Sequence, residues 1–560
     1  MDTEQLRHLI RSGESYTVEF KGEESKALND RDLVEAAVCL ANGQGGVLIL
    51  GVEDDRRVTG ARPRHGSTTD PLRVQALVAN QTVPPVQVAV SMAHIDHATI
   101  LLIEVENSIR VVGTSTGKYV RRALRVDGSP ECVPFHAHEM LVHEIDRGAV
   151  DFASIASAGA SWDDLDPLEF QRFRSLIARS GSSADISLAS LSDLDVARAL
   201  GVVSRRDGIA EPTLGAILLF GREQSLRRFV PTHEAAFQVL RRNEVEVNDF
   251  IPGPLFKVAE DLMQRVQTRN PEEELQLGLL RVAVPLVPPV AVREAIANAL
   301  VHRDYTRPGA IRVQFGEDAL EIVSPGGFPA GVRLDNLLDA SQPRSRILAD
   351  AFKRAGIVER TGRGINRMYE SLLKIGRDAP DFTKSTEASV TAVLPTGAAD
   401  LTLARFVIER EQAKGVPMRL SDLQVLHELR RETNLSTHEV TALLQQTDPQ
   451  SRAALGRMVG EGLVEVRGSG RGRGYHLAAA VYRALNEHSA YVRVRSFDTI
   501  QQEQMVLTYV EAHGRITRRE AADLCAMTPE QASQLLRRIA SAGSLALQGE
   551  KRGSYYTATD

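Results

Sequence analysis

The 560-residue chain holds only three cysteines, Cys39, Cys132 and Cys525, far apart in sequence. That spacing offers neither a disulfide framework nor a metal-ligand pattern, so free thiols in a reducing compartment are expected. No apolar run reaches the roughly 18–20 residues that a membrane span needs. The opening MDTEQLRHLIRSGE has no basic stretch leading into an apolar one, so no signal peptide is expected, and the expectation is a soluble, cytoplasmic protein without a membrane partner. Short-period repeats, coiled-coil heptads and low-complexity tracts are all missing. So is the strong positive charge of a generic nucleic-acid coat, since the net charge is −6. The charge is uneven. Residues 401–560 carry 21 Lys+Arg against 18 Asp+Glu, and the first 400 carry 46 against 55.

What is there is ordinary globular material, 43% apolar and 25% charged, enough for roughly three to five domains. An α+β multidomain chain is expected, in five blocks: 1–147, 148–270, 271–397, 401–485 and 498–560. The first mixes the strands VLILGVED and TILLIEVEN with the helical RDLVEAAVCLAN, which stops at the turn NGQGG. The second opens on a linker-like ASIASAGAS, includes the strand-like LGAILLFG, and reaches a helix near Leu255–Val266. The third holds REAIANALVHRDY, the strands AIRVQFG and ALEIVS, and two glycine-rich turns.

Within REAIANALVHRDY, Glu294, Asn298 and His302 recur every fourth residue, and Asp304 follows. At about 100° per residue they drift slowly round one helix face, while Val292, Ile296, Ala299 and Leu300 lie opposite and suit a sheet. An Asn carbonyl one turn from a Glu suits a nucleotide site: the amide oxygen ligates Mg²⁺ and the carboxylate orients water. Downstream come IVSPGGFPAG and ERTGRGINRM, a strand into a glycine turn and then Gly-x-Gly before a helix, where backbone amides can cradle phosphates.

This ordered set resembles the GHKL ATPase superfamily of gyrase and histidine kinases, in the divergent branch found in bacterial Schlafen-domain regulators. The resemblance implies a GHKL-like α/β sandwich that binds ATP with Mg²⁺. It makes Glu294 the general base of a slow ATPase and Asn298 the Mg²⁺ ligand. Gly326 and Gly327 would line the site, and Gly362, Arg363 and Gly364 would form the phosphate lid; His302 and Asp304 either join the site or hold the helix end and the following strand. One departure stands out. Ser324 or Pro325 occupies the place of the Asp that reads the adenine amino group.

In GESYTVEFK, alternation puts Glu19 and Lys21 on one strand face, with Glu14 nearby. Carboxylates beside a lysine are common in metal-dependent nucleases. Together with LANGQGGVLILGVEDDRRVTG, this stretch resembles the Schlafen AlbA-type domain, an α/β nucleic-acid module with some endoribonuclease members. The resemblance implies Glu14, Glu19 and Asp54 as an Mg²⁺ or Mn²⁺ site, with Asp55 as the alternative to Asp54. Lys21, Lys118, Arg121 and Arg122 would contact phosphates. PTLGAILLFGREQSLRRFVPTHEAAFQVLRRNEVEVNDFIPGPLF resembles the connector of the same proteins, which carries the likeness over roughly residues 12–395.

The last two blocks each read as helix, turn, helix and two strands joined by a Gly-Arg loop, the plan of a winged helix-turn-helix. Recognition helices are expected near Pro449 and Pro529. Arg452 and Arg457 in the first, Gln534, Arg537 and Arg538 in the second, and the wing residues Arg467, Arg471 and Arg473 are the candidate DNA contacts. The expected function is an ATP-binding, DNA-binding transcriptional regulator whose nucleotide state controls its DNA- or RNA-binding modules. The alternative is an ATP-gated, metal-dependent Schlafen-like endonuclease on RNA or DNA, acting in phage defence. By analogy with GHKL and winged-helix proteins, a homodimer or higher homo-oligomer is expected.

Overall fold

The computed structural model describes residues 3–559 apart from 96, 126–128, 182–183, 207–208, 243, 278–279, 341, 359–362, 468–473, 486–498, 526 and 550–553. The chain divides into two compact units. One comprises residues 1–271, 289–365 and 381–394; the other comprises 272–288, 366–380 and 395–560.

The first unit opens with a four-stranded sheet in the order Val18–Lys21, Gly46–Leu50, Ala98–Val105, Val88–Ile95. The first pair is parallel and the others antiparallel. Parallel neighbours need a crossover, and the helix Asp30–Ala41 supplies it. Asn29 caps this helix by accepting the Asp32 amide at 2.8 Å. From Leu33 to Ala41 nearly every residue is buried, as befits a helix covered on both sides. The turn after it needs its glycines: a Cβ on Gly46, where φ is +137°, would lie 2.0 Å from the Thr17 carbonyl oxygen. A hairpin of Val120–Leu124 and Pro130–Pro134 follows, and its inner strand packs on the same helix.

Two expectations for the second block change. LGAILLFG is not a strand but the helix Leu214–Phe220, buried from Gly215 onward. A short apolar run fits a buried strand or a buried helix equally, and here Thr213 caps a helix by accepting the Ala216 amide at 3.4 Å. ASIASAGAS is no free linker either. The Leu214 amide donates to Ile155 at 2.8 Å and the Ser157 amide to Pro212 at 3.1 Å. Around these segments Phe170, Phe173, Phe220, Phe256 and Phe352 form a ring-on-ring core, with Phe170 and Phe220 stacked 4.0 Å apart.

A five-stranded sheet then runs Glu244–Phe250, Ala235–Arg241, Ile311–Phe315, Ala319–Pro325, Ser389–Pro395. Its helices are Leu255–Gln267 and Pro289–Val301, which pack on the sheet and on each other. The expected boundary at residue 270 therefore runs through one α/β layer, because two strands and a helix lie on its N-terminal side. Residues 272–277 and 280–285 instead form a hairpin assigned to the second unit.

The second unit holds two helical blocks. In one, Leu401–Lys414, Leu420–Arg431, Thr437–Leu444 and Asp448–Gly460 precede the hairpin of Val464–Arg467 and Gly474–Leu477. In the other, Thr499–His513, Arg518–Leu524 and Pro529–Ser541 go with a three-stranded sheet in the order Ile516–Thr517, Tyr555–Ala558, Leu545–Gln548. Each block has its own apolar core. Capping boxes at Ser436, Thr517 and Thr528 fix the starts of three of the helices.

Candidate functional site

Helix Pro289–Val301 positions the Glu–Asn line. Its apolar residues face the sheet, and Ser324 ties the two together by donating to the Ala299 carbonyl at 2.8 Å. Glu294 is 1% exposed and Asn298 half-buried. The Arg293 guanidinium stands 3.7 Å from Glu294 Oε1. Gly364, the first residue of helix Gly364–Lys374, abuts this line: a Cβ there would lie 2.5 Å from Glu294 Oε2 and 4.0 Å from Asn298 Nδ2. Three motif residues from distant parts of the chain thus meet at a helix N-terminus, where the macrodipole favours negative charge. Arg363 is exposed beside them, and Gly362 lies outside the described residues.

The rest of the motif turns away from the pocket. Asp304 is completely buried and accepts from Thr306 N at 2.9 Å, Thr306 Oγ1 at 2.5 Å and Arg307 Nε at 2.8 Å. Arg303 is spent on carbonyls of Thr232, Asp304, Arg307 and Gly309. Tyr305 donates to Leu300 O at 2.8 Å, and burial raises its phenol pKa. His302 accepts the Arg344 amide on Nδ1 at 3.4 Å, and its carbonyl accepts Arg344 Nε at 3.0 Å. Burial, with Arg344 close by, pushes the His302 pKa down to about 4, so the ring is neutral at pH 7. His302 and Asp304 therefore act as a frame, holding the helix end and the turn that follows it.

Gly326 and Gly327 are frame residues as well. The Gly326 amide donates to Ala388 O at 2.8 Å, which removes it from any phosphate cradle. A Cβ on Gly326 would lie 2.5 Å from Asp304 Cβ, and φ is +95° there. On Gly327 it would lie 3.1 Å from the Thr386–Glu387 backbone. The Ser324 hydroxyl, beside Pro325, donates to the Ala299 carbonyl.

One hub escaped sequence reasoning. Arg344, nearly buried, donates Nη2 to Gly327 O at 2.7 Å and Nη1 to Asp146, besides its bonds to His302. Asp151 accepts Ser345 Oγ at 2.7 Å and the Ile347 amide at 3.0 Å, holding the start of helix Arg346–Arg354. Nothing in SQPRSRI marks Arg344; its partners are fixed only by the tertiary fold.

At the N-terminal sheet, Glu14 Oε1 accepts the Phe20 amide at 2.8 Å. Burial pushes the Glu14 carboxyl above its usual range; the Phe20 amide, Lys21 and Arg122 oppose this and Glu19 adds to it. Glu19 is buried, with Lys21 Nζ 2.5 Å from Oε1 and Arg122 on Oε2. Arg122 is 1% exposed and also donates Nη2 to the Ser15 and Val18 carbonyls, each at 2.9 Å. It is an internal counter-ion rather than the expected phosphate contact. Asp54 is exposed, while its neighbour Glu53 turns inward, accepting Thr59 Oγ1 at 2.6 Å and the Glu24 amide at 3.1 Å. Asp55 pairs with Arg57 at 2.6 Å. Among the described residues, no three His, Cys, Asp or Glu side chains are gathered to hold a metal. Both Glu19 oxygens are bound to cations, so a metal does not fit the set as it stands. Lys118 pairs with Glu35, and Arg121 with Glu139 at 2.7 Å.

The expected absence of disulfides is corrected here. Cys39 in helix Asp30–Ala41 is bonded to Cys132 in the outer hairpin strand. A 93-residue separation gave no sign of it, because only the fold brings the two together.

In the C-terminal blocks Arg457 makes a two-pronged pair with buried Asp422, at 2.8 and 2.7 Å, which gives it a structural task. Arg467 pairs with Glu465 at 2.5 Å. Arg452, paired with Asp448 at 2.9 Å, and Arg538, paired with Glu503 at 2.8 Å, remain exposed, as do Gln534 and Arg537. Arg471 and Arg473 lie outside the described residues.

Residues 14–129 match the family model described as Schlafen, AlbA_2, and residues 309–394 match that described as the recG C-terminal part of an ATP-dependent DNA helicase, an ATPase-like domain. The chain carries a Schlafen AlbA-type domain and an ATPase-like domain. The ATPase-like match covers Ser324–Gly327, Arg363 and Gly364 and begins after Glu294 and Asn298. Between the two domains, residues 139–236 match a domain family of unknown function. The DIP2311 protein from Corynebacterium diphtheriae, a solved structure, is 20% identical over 99% of each chain, with a TM-score of 0.49. No curated protein matches the chain. Among the described residues, no helix is long and apolar enough to cross a membrane.

Proposed function

We propose that this Schlafen AlbA-type protein is an ATP-binding, nucleic-acid-binding regulator whose nucleotide state governs its nucleic-acid modules. The contact of Gly364 with Glu294 and Asn298 carries the reading. Without a side chain, Gly364 lets Glu294 Oε2 approach its backbone closely, and its helix start offers amides to phosphate. The Asn298 amide oxygen and Glu294 carboxylate are hard oxygen donors, the set that fits Mg²⁺ shared with phosphates. Bound Mg²⁺ supplies charge neutralisation at the phosphates. Glu294, enclosed and facing Gly364, holds and orients a water toward the terminal phosphate, with the Arg293 guanidinium 3.7 Å from its carboxylate. Near the place of the adenine-reading Asp, Ser324 donates to Ala299 and offers only a neutral acceptor in place of a carboxylate, so adenine is read weakly.

The C-terminal blocks read as winged helices, with Arg452, Gln534, Arg537 and Arg538 exposed on the last helix of each block for DNA. Lys118 and Arg121 serve nucleic acid on the AlbA side. A homodimer is the expected working form.

Thermal unfolding with Mg²⁺ plus ATP, ADP or GTP, in wild type and Asn298→Ala, tests the reading. A ligand at 100 times its Kd adds about 2.7 kcal/mol. A shift with ATP that disappears in the variant supports the proposal, and no shift with any nucleotide refutes it.

A further inference from the structure

The bonded cysteines differ in environment. Cys39 is fully buried in helix Asp30–Ala41, and Cys132 is exposed on strand Pro130–Pro134. The helix packs against the inner strand Val120–Leu124. Among the described residues, the outer strand has a ladder partner on one side only, that inner strand. A two-stranded hairpin is marginal in water, so the cross-link is what fastens its outer strand to the helix. Arg122 stands opposite Cys132 in the ladder, with Nη1 3.8 Å from the sulfur. A cation beside a sulfur favours the thiolate, the reacting form, although Glu19 shares that charge. The outer strand leads into helix Ala137–Asp146, which Arg344 clasps through Asp146.

We propose that Cys39–Cys132 is a reversible thiol–disulfide site for low-molecular-weight disulfides and thiols of the glutathione class, and that its state sets the mobility of the hairpin. For oxidation, the exposed Cys132 thiolate attacks one sulfur of the small disulfide and releases one thiolate. The Cys39 thiolate then displaces the second from the mixed disulfide. The protein loses two electrons and two protons, and the small disulfide gains them as two thiols. Reduction runs the same steps backward, entering at Cys132 because Cys39 is enclosed.

The test equilibrates the full chain in buffers of reduced and oxidised glutathione. Alkylation followed by intact mass reads the state, and amide hydrogen exchange is followed over residues 130–134. Expected are interconversion across the glutathione range, exchange about tenfold faster in the reduced form, and redox-independent exchange in Cys132→Ser. A bond that survives excess glutathione is a structural cross-link and overturns the proposal. So does a bond that never forms with oxidised glutathione, or exchange that is equal in both states.

Discussion

Replacing Gly326 by alanine attacks the frame at its tightest point. The backbone φ of +95° disfavours any L side chain, a cost of roughly 1–3 kcal/mol. The new Cβ would lie 2.5 Å from Asp304 Cβ, and Asp304 cannot yield without breaking its bonds to Thr306 and Arg307. Overpacking of that kind adds roughly 1–3 kcal/mol. The sum is about 2–6 kcal/mol. Gly331→Ala is the control, since φ is +83° there but nothing lies within 4 Å of the new Cβ. It should lose only the backbone share. The difference between the two, read as urea midpoints of the first unfolding transition, isolates the Asp304 contact. Equal losses in the two variants would show that Asp304 is not packed under Gly326, and the frame role of HRDY would fall with it.

Arg122→Ala should cost about 3–5 kcal/mol because it leaves buried Glu19 with Lys21 alone and takes the donor from the Ser15 and Val18 carbonyls. Arg121→Ala should stay within about 1 kcal/mol and weaken nucleic-acid binding; equal denaturation midpoints for the two variants would contradict this. His302 is held neutral, with its folded pKa of about 4 below the unfolded value of about 6.5. The unfolded chain binds that proton first, so the stability is complete above about pH 6.5 and is lost as pH falls toward 4, up to about 3 kcal/mol. His302→Gln should flatten the pH profile by that share, and an unchanged profile would refute the burial argument. Arg457→Ala should destabilise the first C-terminal block by about 2–4 kcal/mol by freeing buried Asp422, whereas Arg452→Ala should leave melting unchanged and reduce DNA retention in a gel-shift assay.

Motifs were legible where a few residues fix the local chain. The glycines of SPGGFP and NGQGG announced turns, and the Glu294–Asn298 repeat announced a polar face. What each residue does was less legible. His302 and Asp304 look the same in sequence as Glu294 and Asn298, but a helix end at Val301 turns them into the frame. Glu53 and Asp54 are adjacent carboxylates, and the bend after Gly51 decides which one faces inward. LGAILLFG has no period to read because it is buried all round. Arg344, Asp146 and the Cys39–Cys132 pair left no mark, since each depends on contacts made across more than 90 residues.

The order of strands in the five-stranded sheet also bears on how the chain is made. Ala235 has its parallel partner in Ile311, 76 residues later. At about 5–20 residues per second, a ribosome leaves that strand edge waiting roughly 4–15 s. During that time the strand has only its antiparallel neighbour, Glu244–Phe250, and a lone hairpin is marginal. The nascent five-stranded layer therefore emerges with an unpaired strand edge that cannot close until residue 311 has been synthesised.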